Sequence, residues 1–173
     1  MHWSLIVLTL LAQKPVEEIE IHPPFVSTPE QVVEAMLKLA DVNKSDVVYD
    51  LGCGDGRIVI AAAKMFGARA VGIDHNPELV ETARANAREA GVDSLVRFET
   101  KDIFDADIRP ASVVMLYLFP STNAKLRPKL LKELKPGTRI VSHEFGIGDW
   151  KPEKTISVDG AQILLWTVPR PDP

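Results

Sequence analysis

Val48-Tyr49-Asp50-Leu51-Gly52-Cys53-Gly54-Asp55-Gly56 is the stretch on which the reading of this chain turns. The apolar run Val47-Val48-Tyr49 ahead of it reads as a buried strand, and the alanine-rich residues 58–66, closed by Gly67, read as a helix. The glycines between them allow a tight turn and let a ligand approach the backbone. A dinucleotide loop would space its glycines as G-x-G-x-x-G. Here the third glycine comes one residue early, at Gly56, and Arg57 stands where that pattern needs glycine. Asp50 also places a carboxylate inside the loop, which would repel a pyrophosphate but attract a sulfonium or an ammonium. A loop serving packing alone, or a dinucleotide, are the weaker readings.

Outward from this loop, strands and helices alternate. Ala70-Val71-Gly72-Ile73 is expected as a second strand, and Asn76-Pro77 caps a helix that runs to Gly91. Val96-Arg97-Phe98-Glu99, Val113-Val114-Met115-Leu116 and Arg139-Ile140-Val141-Ser142 read as the third, fourth and fifth strands. Residues 122–134 read as helical, with Pro128 predicting a kink or two short helices. The pattern then changes: residues 155–158 and 162–168 flank Asp159-Gly160, the signature of a β-hairpin. The expected fold is α/β: a doubly wound, mostly parallel sheet with a C-terminal antiparallel hairpin, helices on both faces and a ligand at the carboxyl ends of the first strands. An N-terminal helix precedes it, for which Thr28 and Gln31 spell a capping box around Pro29.

The chain divides into residues 1–14, 15–45 and 46–173. The first segment carries the apolar run 4–12, far short of the roughly 20 residues of a membrane-spanning helix. It reads as a signal or anchor remnant with Ala12 as a cleavage position, as an apolar arm, or as a disordered tail. Residues 15–45 are an extended lead-in followed by the N-terminal helix. The remainder holds one domain with a sizeable core. A net charge of −4 argues against a general nucleic-acid binder. The single cysteine, Cys53, excludes a disulfide framework and a cysteine-rich zinc site. The four histidines show no ligand spacing, so no metal is expected.

Two further acids end strands. Asp74 closes the second strand in Gly72-Ile73-Asp74-His75, where a carboxylate can accept both hydroxyls of a ribose. Asp102 follows the third, where it could accept an adenine amino hydrogen while Ile103 offers a backbone N–H and an apolar wall. Asp50, Asp74 and Asp102 together, with the D-L-G-C-G-D-G loop and the Leu134-Lys135-Pro136-Gly137 turn, resemble the class I (Rossmann-like) S-adenosylmethionine (SAM)-dependent methyltransferases. The resemblance covers residues 46–168. It implies SAM as cofactor, with Asp50, Gly52, Cys53, Gly54 and Gly56 at the methionine end, Asp74 and His75 at the ribose, and Asp102 and Ile103 at the adenine.

A narrower resemblance rests on Pro24-Phe25-Val26-Ser27-Thr28-Pro29, on Leu116-Tyr117-Leu118-Phe119-Pro120 and on His143-Glu144-Phe145 through Trp150. It is to the small subgroup of lysine methyltransferases acting on ATP synthase subunit c and the adenine nucleotide translocase, with their bacterial relatives. It implies N-methylation of a protein lysine, with the lead-in Phe25–Pro29, Phe25 and Thr28 among its cofactor-binding candidates, closing over the cofactor or the acceptor. Methylation of a small-molecule amine and non-catalytic SAM binding are the alternatives. Tyr117, His143 and Glu144 are the candidates for the acceptor site, where an amine must be bound and deprotonated. The segment after the fourth strand lacks the Pro-Pro-aromatic signature of nucleic-acid amino methyltransferases. The expected partner is therefore a protein, membrane association resting on the apolar start alone, and no nucleic acid is expected. The expected location is the cytoplasm, or outside the cell if residues 1–12 are a signal. The oligomeric state is not specified.

Overall fold

The computed structural model describes residues 26–170. Phe25 and the segment 1–14 lie outside the described residues. Eleven elements follow in order: α1 (Glu30–Leu39), β1 (Val47–Leu51), α2 (Arg57–Phe66), β2 (Arg69–Asp74), α3 (Pro77–Glu89), β3 (Val96–Thr100), β4 (Val113–Leu116), α4 (Pro120–Glu133), β5 (Arg139–His143), β6 (Lys154–Val158) and β7 (Ala161–Thr167). The strands form one sheet of seven in the order β3-β2-β1-β4-β5-β7-β6. The first five are parallel, and β7 joins β5 antiparallel with β6 beyond it. The Asp159-Gly160 turn has both residues at positive φ (51° and 82°), the type I′ geometry that matches strand twist.

Alternation along the strands divides the core. Val48, Ala70, Phe98, Val113 and Val141 face α1, α2 and α3. Tyr49, Leu51, Ile73, Val114 and Ile140 face the other way, onto Leu126 and Leu130 of α4. This second face is only partly helical. The connection from β3 to β4 carries no helix; Ala106, Ile108 and Ala111 cover the sheet from an irregular segment instead. The sequence reading places no helix over residues 101–112, and the structure keeps them irregular.

Two local expectations change. α4 is one continuous helix from Pro120, not two short ones. Pro128 faces solvent, so its ring and its missing N–H disturb only the outer side of the turn. The Thr28 capping box does not form either. Pro29 occupies the cap position, α1 starts at Glu30, and no side chain caps it. The Pro29 carbonyl accepts the N–H groups of Val32 and Val33, and the Thr28 hydroxyl is turned elsewhere. The other caps follow the sequence: Asn76 accepts from Glu78 and Leu79, and Gly67 closes α2 at φ 65°.

At the opposite end of the sheet from the strand tips, Asp46 ties three elements together. It accepts from Ser112 Oγ at 2.7 Å, from the Asn43 backbone N–H at 2.9 Å and from the Arg139 guanidinium. Arg139 also reaches the Ala40 carbonyl at 2.6 Å, locking the end of α1 to β5.

Candidate active site

A cleft of about 790 Å³ opens over the carboxyl ends of the strands, within the range of roughly 300–1,000 Å³ typical of small-molecule sites. It lies where the strand order reverses, between β1 and β4, the expected place in an open α/β sheet. Asp50, Gly52, Cys53, Asp74, Asp102 and Tyr117 all line it.

The loop after β1 is held by its neighbour. The N–H groups of Gly52 and Cys53 both donate to the Ile73 carbonyl, at 2.8 and 3.0 Å. Gly54 N–H donates to Asp74 Oδ2 at 2.9 Å, and Asn76 N–H to Oδ1 at 2.9 Å. Asp74 therefore orders the glycine loop and the start of α3. Each of its oxygens keeps a lone pair for a ligand. His75 stands exposed beside it, its Nδ1 3.5 Å from Asp74 Oδ1.

Asp50 is buried between the other acids. Burial is the main cause that pushes its carboxyl up to about 8, with the charges of Asp74 and Asp55 adding to it. Burial also raises the Cys53 thiol, helped by Asp50 and Asp74, so Cys53 is an inert, thiol-form wall. A carboxyl so placed is held ionised only by a cation, and a sulfonium–ammonium pair supplies one. The backbone also leaves the space open. Gly52 lies in the cleft floor at φ 85°, and a Cβ there would come within 2.8 Å of Leu118 Cδ2. Asp102 stays exposed, its Oδ1 accepting from Phe104 N–H at 2.8 Å, beside half-buried Ile103. The residues present fit SAM.

Other sequence-selected residues are placed differently. Gly54 and Gly56 are buried and do not line the cleft. A Cβ on Gly56 would meet Phe98 Cε1 at 2.8 Å and Ala83 at 2.9 Å, so this glycine serves packing of α2 against α3 and β3. Of the acceptor candidates only Tyr117 lines the cleft. His143 lies behind it, with ring centroids 4.0 Å apart, and is buried. Burial holds its imidazole below the usual range, against the opposing pull of Glu144, so the neutral ring is favoured. Glu144 sits at φ 64° with Oε1 accepting the Gln162 N–H at 3.0 Å, and its carboxylate is 4.0 Å from His143 Nε2. Phe145 returns to the cleft, its ring stacked at 6.4 Å from that of Tyr117.

The sequence reading did not select Asp55, Arg57, Phe104, Leu118, Phe119 and Thr122, all of which line the cleft. Phe104 and Phe119 are 40% and 52% exposed, so the mouth of an acid-lined cleft has an apolar rim. Their signal was apolar residues in loops directly after strands. Trp150 packs on buried Trp166, which donates to its carbonyl at 2.9 Å. It lines a shallow hollow of about 410 Å³ instead of the cleft, and the one carboxylate there, Glu153, is taken by Thr167.

Residues 50–154 match the ANTKMT methyltransferase domain family. The chain is 50% identical over 143 residues to a protein-lysine N-methyltransferase of Saccharolobus islandicus, covering 82% of this chain and 89% of that protein. It is 35% identical over 166 residues to the adenine nucleotide translocase lysine N-methyltransferase of Mus musculus, covering 96% and 71%. Among solved structures, an RNA methyltransferase from Salinibacter ruber in complex with S-adenosyl-L-homocysteine (SAH) superposes with a TM-score of 0.83 at 55% identity, over 86% of this chain and 97% of that one. With a fitting cofactor cleft on a matching sheet, the chain is a SAM-dependent methyltransferase and belongs to the ANTKMT methyltransferase domain family.

Proposed function

We propose that the chain transfers a methyl group from SAM to the side-chain nitrogen of a protein lysine, on the cytoplasmic side where its cofactor is made. The observation that carries this reading is the 50% identity to a protein-lysine N-methyltransferase, which spans 89% of that protein. The chemistry of the cleft supports it: Asp74 and Asp102, with Asp50 once ionised, make a cation-attracting lining, while Asp55 neutralises Arg57.

Bound SAM supplies an electrophilic methyl group on a sulfur that leaves as a neutral thioether. The chain's own work is to bind, orient and desolvate. Asp50 and the floor at Gly52 hold the cationic end of the cofactor, Asp74 the ribose and Asp102 the adenine. Tyr117 and Phe145 form the wall against which the acceptor nitrogen lies. A lysine arrives protonated, with a reference pKa of about 10.4, and its lone pair must face the methyl carbon. The aromatic wall and half-buried Leu118 strip water from the ammonium and favour its neutral form. His143, neutral and behind Tyr117, supports this wall and does not reach the acceptor itself. The apolar rim of Phe104 and Phe119 suits a folded or extended protein surface.

The Salinibacter ruber protein gives an RNA acceptor as the second reading. The test is to incubate the purified chain with methyl-labelled SAM and a lysate lacking its own gene product. Label on lysine that resists nuclease supports the proposal; label in RNA alone overturns it. The apolar residues 4–12 favour an acceptor near a membrane, and separating the labelled proteins into membrane and supernatant fractions tests that part. Among the described residues, no helix is long and apolar enough to cross a membrane.

A further inference from the structure

We propose that Arg57 is a positioning residue that seats residues 26–28 in the cleft wall through Thr28, and so joins the cofactor half of the site to the acceptor half. A guanidinium in a cleft that binds a cation works against that binding unless it is neutralised. Asp55 does this with a two-point fork: Nε donates to Oδ1 at 3.0 Å and Nη2 to Oδ2 at 2.6 Å. The fork leaves Nη1 aimed at the lead-in, where it donates to the Thr28 carbonyl at 2.9 Å. Asp55 is itself anchored, since its backbone carbonyl accepts from Asn86 Nδ2 at 3.0 Å.

Thr28 is gripped from the other side as well. Its Oγ1 lies 3.3 Å from His143 Nδ1, and the His143 ring packs on Tyr117. One buried residue is thus tied by its carbonyl to the helix that leaves the cofactor loop, and by its hydroxyl to the end of β5. Val26, Ser27 and Thr28 line the cleft, so the position of this segment is a wall of the site. The fold does not require the clamp. α1 starts without a Thr28 cap and is held in the core by Val32, Val33, Met36 and Leu37. Lysine cannot replace Arg57, because one ammonium cannot span both Asp55 oxygens and the Thr28 carbonyl.

The acceptor half of this inference rests on the proposed lysine methylation; the cofactor half does not. The test compares Arg57→Ala, Arg57→Lys, Thr28→Val and the Arg57→Ala/Thr28→Val pair in the full chain. SAH affinity is read by calorimetry, methyl incorporation into lysate protein by label, and folding by thermal melting. Arg57→Ala should weaken SAH about tenfold. Arg57→Lys should remain about fivefold weak, and it carries the comparison should the alanine variant melt below the assay temperature. Thr28→Val should slow methyl incorporation, and the double variant should be no slower than Arg57→Ala, because an unseated lead-in has already lost the His143 contact. SAH affinity within twofold of wild type for both Arg57 variants, or rate losses that multiply in the double variant, would overturn the proposal. A wild-type chain that labels no lysine would remove the lysine reading, while the SAH comparison would still decide the role of Arg57.

Discussion

Asp74 accepts the backbone N–H of Gly54 at 2.9 Å, so the acid that ends one strand holds the glycine loop that ends its neighbour. In the proposed site, cofactor binding and loop order are therefore linked through one carboxylate. Asp74→Ala should weaken SAH by about 10- to 100-fold, the equivalent of one hydrogen bond to a charged group. Calorimetry with a variant shown to be folded by circular dichroism checks this, and near-wild-type affinity would contradict the assignment.

Gly52 should tolerate no side chain for a different reason. At φ 85° an alanine costs on the order of 1 kcal/mol, and its Cβ would enter the cleft floor against Leu118. Gly52→Ala should stay folded and bind SAH at least ~10-fold more weakly. An unchanged dissociation constant would show that the floor has room to spare.

Cofactor binding should release a proton. The Asp50 carboxyl, raised to about 8, is mostly protonated in the free protein at pH 7. A bound cation favours its ionised form, so affinity should rise with pH up to about 8 and then level off. The same shift sets the sign for folding. Between an unfolded value of 3.8 and a folded value of about 8, the unfolded chain gives up the proton first. Asp50 therefore destabilises the free protein progressively as pH rises through that window. Calorimetry in buffers of different ionisation enthalpy should count a proton released by wild type and absent in Asp50→Asn. Equal counts for the two would refute the idea.

Asp46 should matter for stability and not for the site. Removing it leaves the Arg139 guanidinium, 23% exposed, with only carbonyl partners, and the loss lies between that of a surface and a buried pair, about 2 kcal/mol. Urea denaturation of Asp46→Ala should show that loss, with SAH affinity unchanged. A cost under ~1 kcal/mol would mean that Arg139 finds its carbonyl partners sufficient.

Gly72 should be intolerant through packing. A Cβ there would lie 2.6 Å from Phe98 Cδ1 and 2.7 Å from Cys53 Sγ. Gly72→Ala should cost about 1–3 kcal/mol, and a second change, Phe98→Leu, should recover part of it. Additive losses in the double variant would count against this contact as the cause.

The sequence alone determined the alternation of strands and helices, the glycine loop after β1, the Asn76 and Gly67 caps, the Asp159-Gly160 hairpin and the placing of Asp50, Asp74 and Asp102 at successive strand ends. These are local properties, because apolar periodicity, turn chemistry and caps depend on residues within a few positions of each other. Only the tertiary structure decided which of two competing partners each polar group takes. Thr28 could cap α1 or reach His143, 115 residues away, and the packed position of β5 settled it. Gly56 reads as an equal of Gly52 in the chain, yet Phe98 from β3 fills the space over it. His143 and Glu144 end a strand like the cofactor acids do, but Tyr117 stands between His143 and the cleft. Each outcome rests on contacts between elements far apart in sequence, whose geometry exists only once the sheet has formed.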